Sequence, residues 1–501
     1  MPPPERLRHG MRRRDLLKTA ALTVAGGMLW SPTRAAASTP VGPQWIALGP
    51  DPRSQMWVSW SSGSASTPAS PPAPRIRWGL TSSYGKARAA DASRQVPIPS
   101  GPANEPPEKT FYNRVLLTGL QPGRTYHYAV SNDGVSWGPD TTFRTAPTSP
   151  RGVRFTAFGD QAASQGGAGA MAALVASLDP DFHVLSGDLA YATPEPMTYP
   201  DVAGFVPAEW DKYLGVVGPA AAGSIPWMAS VGAHEIEPLA NFGYDGFVTR
   251  FPQAYDPASG SPVAHSFTYE NVAVIHLDGN DLSAQETTRT GYTGGAQTAW
   301  LKARLSSYRA TGSGIDFIVV VCNCCCYSTN QKHGSDGGLR DTWGPLFDHY
   351  KVDLVISGHV HAYERTHPVR GGQPTRTVAS GGVAYPASDG TTYICAGGGG
   401  NGLYRSWYGT STGGDGGSAT APKIWRWNGG VSQNVPDSAR GFSAYRRGVL
   451  HCVCVDVTPP NAAGQTTMAI RALMPAQSGS TVTSISAPTV MDRVTLVRTA
   501  A

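Results

Sequence analysis

Asp353-Leu-Val-Ile-Ser-Gly-His-Val-His361 sets a short apolar run against an abrupt polar exit. A run that is apolar on both faces reads as a strand buried between layers, and a glycine at its end lets the chain turn sharply and aim the next side chains inward. In an extended exit His359 and His361 project to the same side. The same grammar recurs upstream. Phe155-Thr-Ala-Phe leads into Gly159-Asp160, Phe182-His-Val-Leu-Ser into Gly187-Asp188-Leu-Ala-Tyr191, and Pro226-Trp-Met-Ala-Ser-Val into Gly232-Ala-His-Glu235. Phe317-Ile-Val-Val-Val-Cys leads into Asn323. Helical stretches at 168–178, 298–308 and 343–350 alternate with these runs, which predicts an α/β domain over residues 151–500. Ligands of open α/β sheets bind beyond the carboxyl ends of the strands, so the polar sets are expected to converge on one site. Carboxylates mixed with imidazoles suit iron, manganese or zinc.

Before the α/β grammar begins, residues 40–147 read as strands. Gln55-Met-Trp-Val-Ser-Trp60 and Arg75-Ile-Arg-Trp78 alternate, and Thr125-Tyr-His-Tyr-Ala-Val130 places Tyr126, Tyr128 and Val130 on one face. Breakers rich in Ser, Pro and Gly separate them, so an all-β sandwich is expected. Its role is either packing against the following domain or binding a surface or polymer. Thr145-Ala-Pro-Thr-Ser-Pro150 is the linker.

The first 37 residues are of a different kind. Arg12-Arg-Arg-Asp-Leu-Leu-Lys18, an apolar stretch to Trp30 and Arg34-Ala-Ala-Ala37 form a positive region, a short hydrophobic region and a small-residue cleavage site, with Met11 as an alternative start. This is an export signal, and its apolar core is too short to serve comfortably as a permanent anchor. The segment also carries seven Lys/Arg against two Asp/Glu, which accounts for the whole formal charge of +5. A neutral mature chain offers no electrostatic case for nucleic acid, and nothing in it would stay inserted in a membrane after cleavage. With 501 residues, 40% hydrophobic and 15% charged, and with 59 Gly and 42 Pro, the chain is loop-rich and globular rather than disordered. Seven cysteines are present, four of them at 322 and 324–326, without the paired CxxC spacing of a zinc knuckle.

Taken in order, Gly-Asp-Gln, Gly-Asp-Leu-Ala-Tyr, Gly-Ala-His-Glu, a Val-rich strand ending near Asn323 and Gly-His-Val-His-Ala-Tyr-Glu-Arg resemble the motifs of purple acid phosphatases, within the calcineurin-like metallophosphoesterase superfamily. The front domain resembles a fibronectin type III sandwich, on Leu120-Gln-Pro-Gly-Arg-Thr-Tyr126, and Arg12-Arg13 with the leucines and lysine that follow resembles a twin-arginine signal. The stretch from Tyr393-Ile-Cys-Ala and four glycines onward, 390–500, is similar to the family's closing segment. The fold implied is a metallophosphoesterase β-sandwich with flanking helices. The resemblance implies a secreted hydrolase of small phosphate esters that uses a metal-bound hydroxide and no covalent phosphoenzyme. It assigns ferric iron, Fe(3+), to Asp160, Asp188, Tyr191 and His361. It assigns a second ion, Zn(2+), Mn(2+) or Fe(2+), to Asp188, His359 and the position of Asn323. His234 and His333 match histidines of the family that touch substrate, or are solvent-exposed loop histidines, and Glu235 and Glu364 are expected to orient ligands through hydrogen bonds. Arg365 pairs with Glu364 or is a surface charge.

The chain departs from the family at Ala162, Ala233 and Asn323, where glycine, asparagine and histidine are usual. The second site is thereby one ligand short and holds an amide in place of an imidazole, which predicts weaker binding and reduced activity. Cys322 and Cys324 flank Asn323, yet in a strand they face away from it. They serve as ligands through a local bulge, as small buried hydrophobes, or in disulfides with Cys452 or Cys454. The competing expectation for the whole protein is a degenerate homologue that binds phosphate or a surface without catalysis.

Overall fold

The computed structural model describes residues 41–62, 73–96, 110–193, 205–237, 241–253 and 255–499. The export signal expected at 1–37 and most of the breaker after Ser61 lie outside these residues. Ser38–Ala501 form one compact unit, and within it two β architectures follow one another along the chain.

The first is a pair of four-stranded antiparallel sheets. Gln44–Leu48, Met56–Ser61, Tyr112–Leu117 and Ala92–Arg94 form one; Lys86–Ala89, Arg75–Gly79, Thr125–Ser131 and Thr141–Arg144 form the other. Alternate residues of both sheets, among them Val58, Trp60, Ile76, Val115, Tyr128 and Val130, meet in the core. The turn before Thr125–Ser131 is held by Tyr126, whose Oη accepts the Gln121 N–H at 2.8 Å, the tyrosine-corner arrangement of immunoglobulin-type sandwiches. This domain packs against the next through polar anchors. Trp45 Nε1 donates to Arg250 O at 2.9 Å and Tyr128 Oη to Gly223 O at 2.6 Å.

The second architecture is two seven-stranded sheets stacked face to face, with helices outside. In one sheet Trp227–Ala229, Phe182–Leu185 and Val153–Phe158 run parallel and continue into Cys452–Val457, Gln465–Ser478, Thr481–Thr499 and Val383–Ala384. In the other, Val272–His276, Phe317–Val321, Leu354–Ser357 and Thr392–Ala396 run parallel, with His265–Tyr269 and Tyr363–Thr366 antiparallel to them and Ser443–Arg447 antiparallel to Tyr363–Thr366 at the edge. The doubly apolar runs have a direct cause. Val319 and Val321 face the core between the sheets, whereas Ile318, Val320 and Cys322 face the helices Ala296–Tyr308 and Gly337–His349 through Leu301, Trp343 and Phe347. Phe155 and Phe158 divide in the same way, with Phe158 covered by the helices Ala168–Ser177 and Ala208–Val217.

One element differs from the sequence expectation. The helix read at 343–350 begins six residues earlier, at Gly337, because Asp336 caps it by accepting from the N–H groups of Gly338 and Leu339. Gly337 and Gly338 look like breakers, but a Cβ on Gly338 would lie 1.8 Å from Leu282 O, so this glycine permits close packing. The C-terminal residues supply a long hairpin that completes the first sheet of this domain.

Candidate metal centre

Every parallel strand of the central sheets ends at the same edge of the sandwich, and the chain leaves it through unusual backbone geometry. Asp160, Asp188, Tyr191 and His359 all have positive φ, between 54° and 65°. For residues with a Cβ this left-handed conformation costs about 1–3 kcal/mol each and persists only where the surroundings enforce it. The glycines of the motifs play a different part from the one their position suggests. Among Gly159, Gly187, Gly232 and Gly358 only Gly187 has a positive φ; a Cβ on Gly358 would lie 2.6 Å from Asp160 Oδ2, and one on Gly232 2.2 Å from Asp188 Oδ1. They clear space for carboxylates, and the bend falls on the polar residues themselves.

Asp160, Tyr191 and His361, scattered over two hundred residues, meet. Tyr191 Oη lies 3.1 Å from Asp160 Oδ1 and 2.8 Å from His361 Nε2, and His361 Nε2 lies 3.4 Å from Asp160 Oδ1. His361 Nδ1 donates to Gly402 O at 2.6 Å and the ring stacks on Tyr404, an anchorage that turns Nε2 toward the cluster as in metal-bound imidazoles. Asp188 joins through its loop, since Asp160 N–H donates to Gly187 O and Gln161 N–H to Asp188 O. Glu235 accepts from the N–H groups of Asp188, Leu189 and Gly232 at 2.7–2.8 Å and so holds the turn that presents Asp188.

The electrostatics of this cluster call for a cation. Asp160, Asp188 and Glu235 are at most 2% exposed. Burial and the charge of Asp188 hold the Asp160 carboxyl well above the usual range, and Glu235 is raised by the same two causes. Burial and Asp160 push the Tyr191 phenol up as well. Buried acids in one pocket lose their protons only when an opposite charge is at hand. Among the described residues Asn323 Oδ1 and His359 Nε2 are buried without a hydrogen-bond partner, as donors facing a metal would be. The residues present therefore fit metal ions.

The remaining predicted residues fall around this core. His234 donates its N–H to Asp188 Oδ1 at 2.9 Å, lays its ring on Tyr191 at 4.1 Å and holds Thr193 O through Nδ1 at 2.5 Å. Asn323 donates to Ser186 O at 3.0 Å. His333 packs its ring on that of His359 with centroids 4.0 Å apart, and Glu286 stands 3.7 Å from His359 Nε2. Burial and the neighbouring His359 keep His333 neutral over the physiological range. Glu364 does not reach a predicted ligand; it accepts from Ser328 and Thr329 and shapes the loop that leads to His333. Arg365 neither pairs with Glu364 nor lies on the surface. Adjacent strand residues face opposite ways, and Arg365 makes a buried bidentate pair with Asp492, on the long hairpin. All seven cysteines are buried and free, so the disulfides considered from sequence are not formed. Cys322 and Cys324 sit among the residues under the helices, and burial pushes the Cys324 thiol up, away from the thiolate a metal takes.

Sequence reasoning missed Glu286, Tyr404, Asn401 and the glycines at 397–400. Asn401 N–H donates to Asp160 O, and a Cβ on Gly397 would lie 2.7 Å from Asp160 Oδ2. Four successive glycines signal a close backbone approach, and that was the available clue. Glu286 follows no strand and carried none.

A double β-sandwich with Asp, His and Tyr donors at the carboxyl ends of its strands defines a metal-dependent phosphoesterase. Comparison agrees domain by domain. Residues 44–145 match the family model "Purple acid Phosphatase, N-terminal domain" and residues 153–363 the model "Calcineurin-like phosphoesterase". An uncharacterised protein of Mycobacterium tuberculosis is 32% identical over 441 residues, 78% of each chain. Purple acid phosphatase 22 of Arabidopsis thaliana is 30% identical over 261 residues, 50% of this chain and 53% of that protein. The structure of a purple acid phosphatase from yellow lupin seeds superposes with a TM-score of 0.62 at 17% identity, covering 91% of this chain and 75% of the lupin chain. The chain belongs to the purple acid phosphatase family. It is accordingly a hydrolase of phosphate esters, and the family implies a dinuclear metal centre.

Proposed function

We propose that the protein is an exported phosphomonoesterase of the acid-phosphatase type, with a ferric ion held by Asp160, Asp188, Tyr191 and His361. A divalent zinc, manganese or iron ion shares Asp188 and is held by His359, at a site weakened by Ala233 and Asn323. The meeting of Tyr191 Oη, Asp160 Oδ1 and His361 Nε2 within 3.4 Å carries this reading. Bound there, the cations would lower the pKa of a water and neutralise charge on the phosphoryl group. The protein's own part is placement. Glu235 and the Gly-Asp turns hold the carboxylates in strained geometry, Gly402 O fixes the His361 ring, and Tyr404 and His333 line the pocket beside it. His234, tied through Nδ1 to Thr193 O, has Nε2 as the atom that hands a proton to the departing alkoxide. The lead segment outside the described residues supports export, and no helix among the described residues is long and apolar enough to cross a membrane.

The test is metal analysis of the purified protein together with hydrolysis of a generic phosphomonoester. Iron should be present with a visible tyrosinate-to-ferric absorption that Tyr191→Phe abolishes. A colourless, iron-free and active protein would overturn the assignment. Negligible turnover at every zinc or manganese concentration would instead point to a non-catalytic phosphate-binding homologue.

A further inference from the structure

The second cation is short of two family ligands, and the fold supplies others. One donor atom from each of Glu286, His333 and His359 lies within 4.8 Å of the other two. We infer that the second metal ion is coordinated by Glu286, His333 and His359, displaced from the Asn323 position toward the loops at 286 and 333. This rests on the metal-centre reading above and changes the part of His333 from touching substrate to holding metal.

Three observations carry the inference. First, His359 Nε2 is buried and has no hydrogen-bond partner, while the residue itself is only 4% exposed. A buried ring nitrogen left in this way costs free energy that a metal bond recovers. The carboxylate of Glu286 stands 3.7 Å from it, beyond hydrogen-bond reach and close to the spacing of about 3.4 Å between two donors that share a tetrahedral zinc at ~2.1 Å. Second, the His333 ring is buried at 5% exposure and packed between His359 and Tyr404 with centroids 4.0 and 5.3 Å away, and the Gln285 side-chain amide lies 2.5 Å from its Nδ1; with the amide oxygen turned to the ring it accepts from Nδ1–H and leaves Nε2 to a metal. A ring fixed by an amide and an aromatic neighbour is prepared for coordination rather than free to follow a substrate. Third, the chemistry is complete as it stands. Two imidazoles and one carboxylate form a set known for catalytic zinc, which keeps a further position open for water. Asn323, by contrast, offers one weak amide oxygen and commits its nitrogen to Ser186 O.

Isothermal titration of Zn(2+) into the iron-loaded full-length protein tests this. Glu286→Gln and His333→Ala should each lower zinc affinity at least tenfold, since even outer partners of metal ligands are worth ~10–100-fold. Asn323→Ala should change it less than twofold. The iron colour, which depends on Tyr191, should persist in all three variants, and circular dichroism should be unchanged. Loss of affinity in Asn323→Ala with affinity retained in Glu286→Gln and His333→Ala would overturn the inference while leaving the metal centre in place. Absence of iron colour in the parent protein would instead overturn the reading of the centre itself.

Discussion

Replacing Gly232 by alanine tests where Asp188 stands. The backbone there has φ −118° and ψ −165°, ordinary extended geometry, so the substitution strains no dihedral angle. The added methyl group, however, would lie 2.2 Å from Asp188 Oδ1 and 2.7 Å from Asn323 Cγ. Van der Waals contact needs ~3.5 Å, so the carboxylate must retreat by about 1 Å. Metal bonds tolerate about 0.2 Å. A residue proposed to bridge two cations therefore loses its hold on both. The expected result for Gly232→Ala is at least a tenfold loss of metal affinity and a drop in kcat of about 100-fold, the usual consequence of a 1 Å misplacement. Overpacking should destabilise the fold by only about 1–3 kcal/mol. Metal content by mass spectrometry, turnover of a phosphomonoester and thermal melting would be read side by side. Gly215→Ala is the control. It lies in the helix Ala208–Val217, its Cβ meets nothing within 4 Å, and it should stabilise by about 0.5–1 kcal/mol with metal and turnover intact. Full metal loading and undiminished turnover in Gly232→Ala would refute the placement of Asp188 at the centre.

Other expectations concern the scaffold. Burial pushes His265 and His451 down to about 4, so between the ordinary 6.5 and that value the unfolded chain binds protons that the folded chain refuses. Stability should fall as pH falls through this window, by about 2–3 kcal/mol for each histidine at pH 4.5, and His451→Asn should flatten the slope of melting temperature against pH. A melting temperature in the parent protein that does not fall on acidification would contradict this. Glu237 and Arg250 form an ion pair with both side chains at 0% exposure, beneath the contact with Trp45. Glu237→Gln removes the carboxylate of this buried pair and should cost about 3–5 kcal/mol in urea unfolding. A thiol reagent should find few reactive cysteines in the native protein and seven after denaturation without reductant.

How much of this could be read from the chain depends on how local each signal is. Gly-Asp-Leu-Ala-Tyr and Gly-His-Val-His are short segments in which strand, exit and donor lie within a few residues. The class of fold and the candidate donors Asp160, Asp188, Tyr191, His359 and His361 were legible for that reason. The all-β front domain was legible from alternation, because each of its strands buries one face. The partners of the charged residues were not, because they are set by which strands lie side by side. Arg365 meets Asp492 and not its neighbour Glu364, since strand pleating sends adjacent side chains apart and the C-terminal hairpin passes beneath one of them. Glu286 and His333 reach His359 from loops with no periodic pattern. The sequence alone determined which residue types are available to bind metal and on which strand ends they ride. Only the folded chain decided which donors lack another partner in the dry interior, because desolvation and distance exist only once remote segments are packed together.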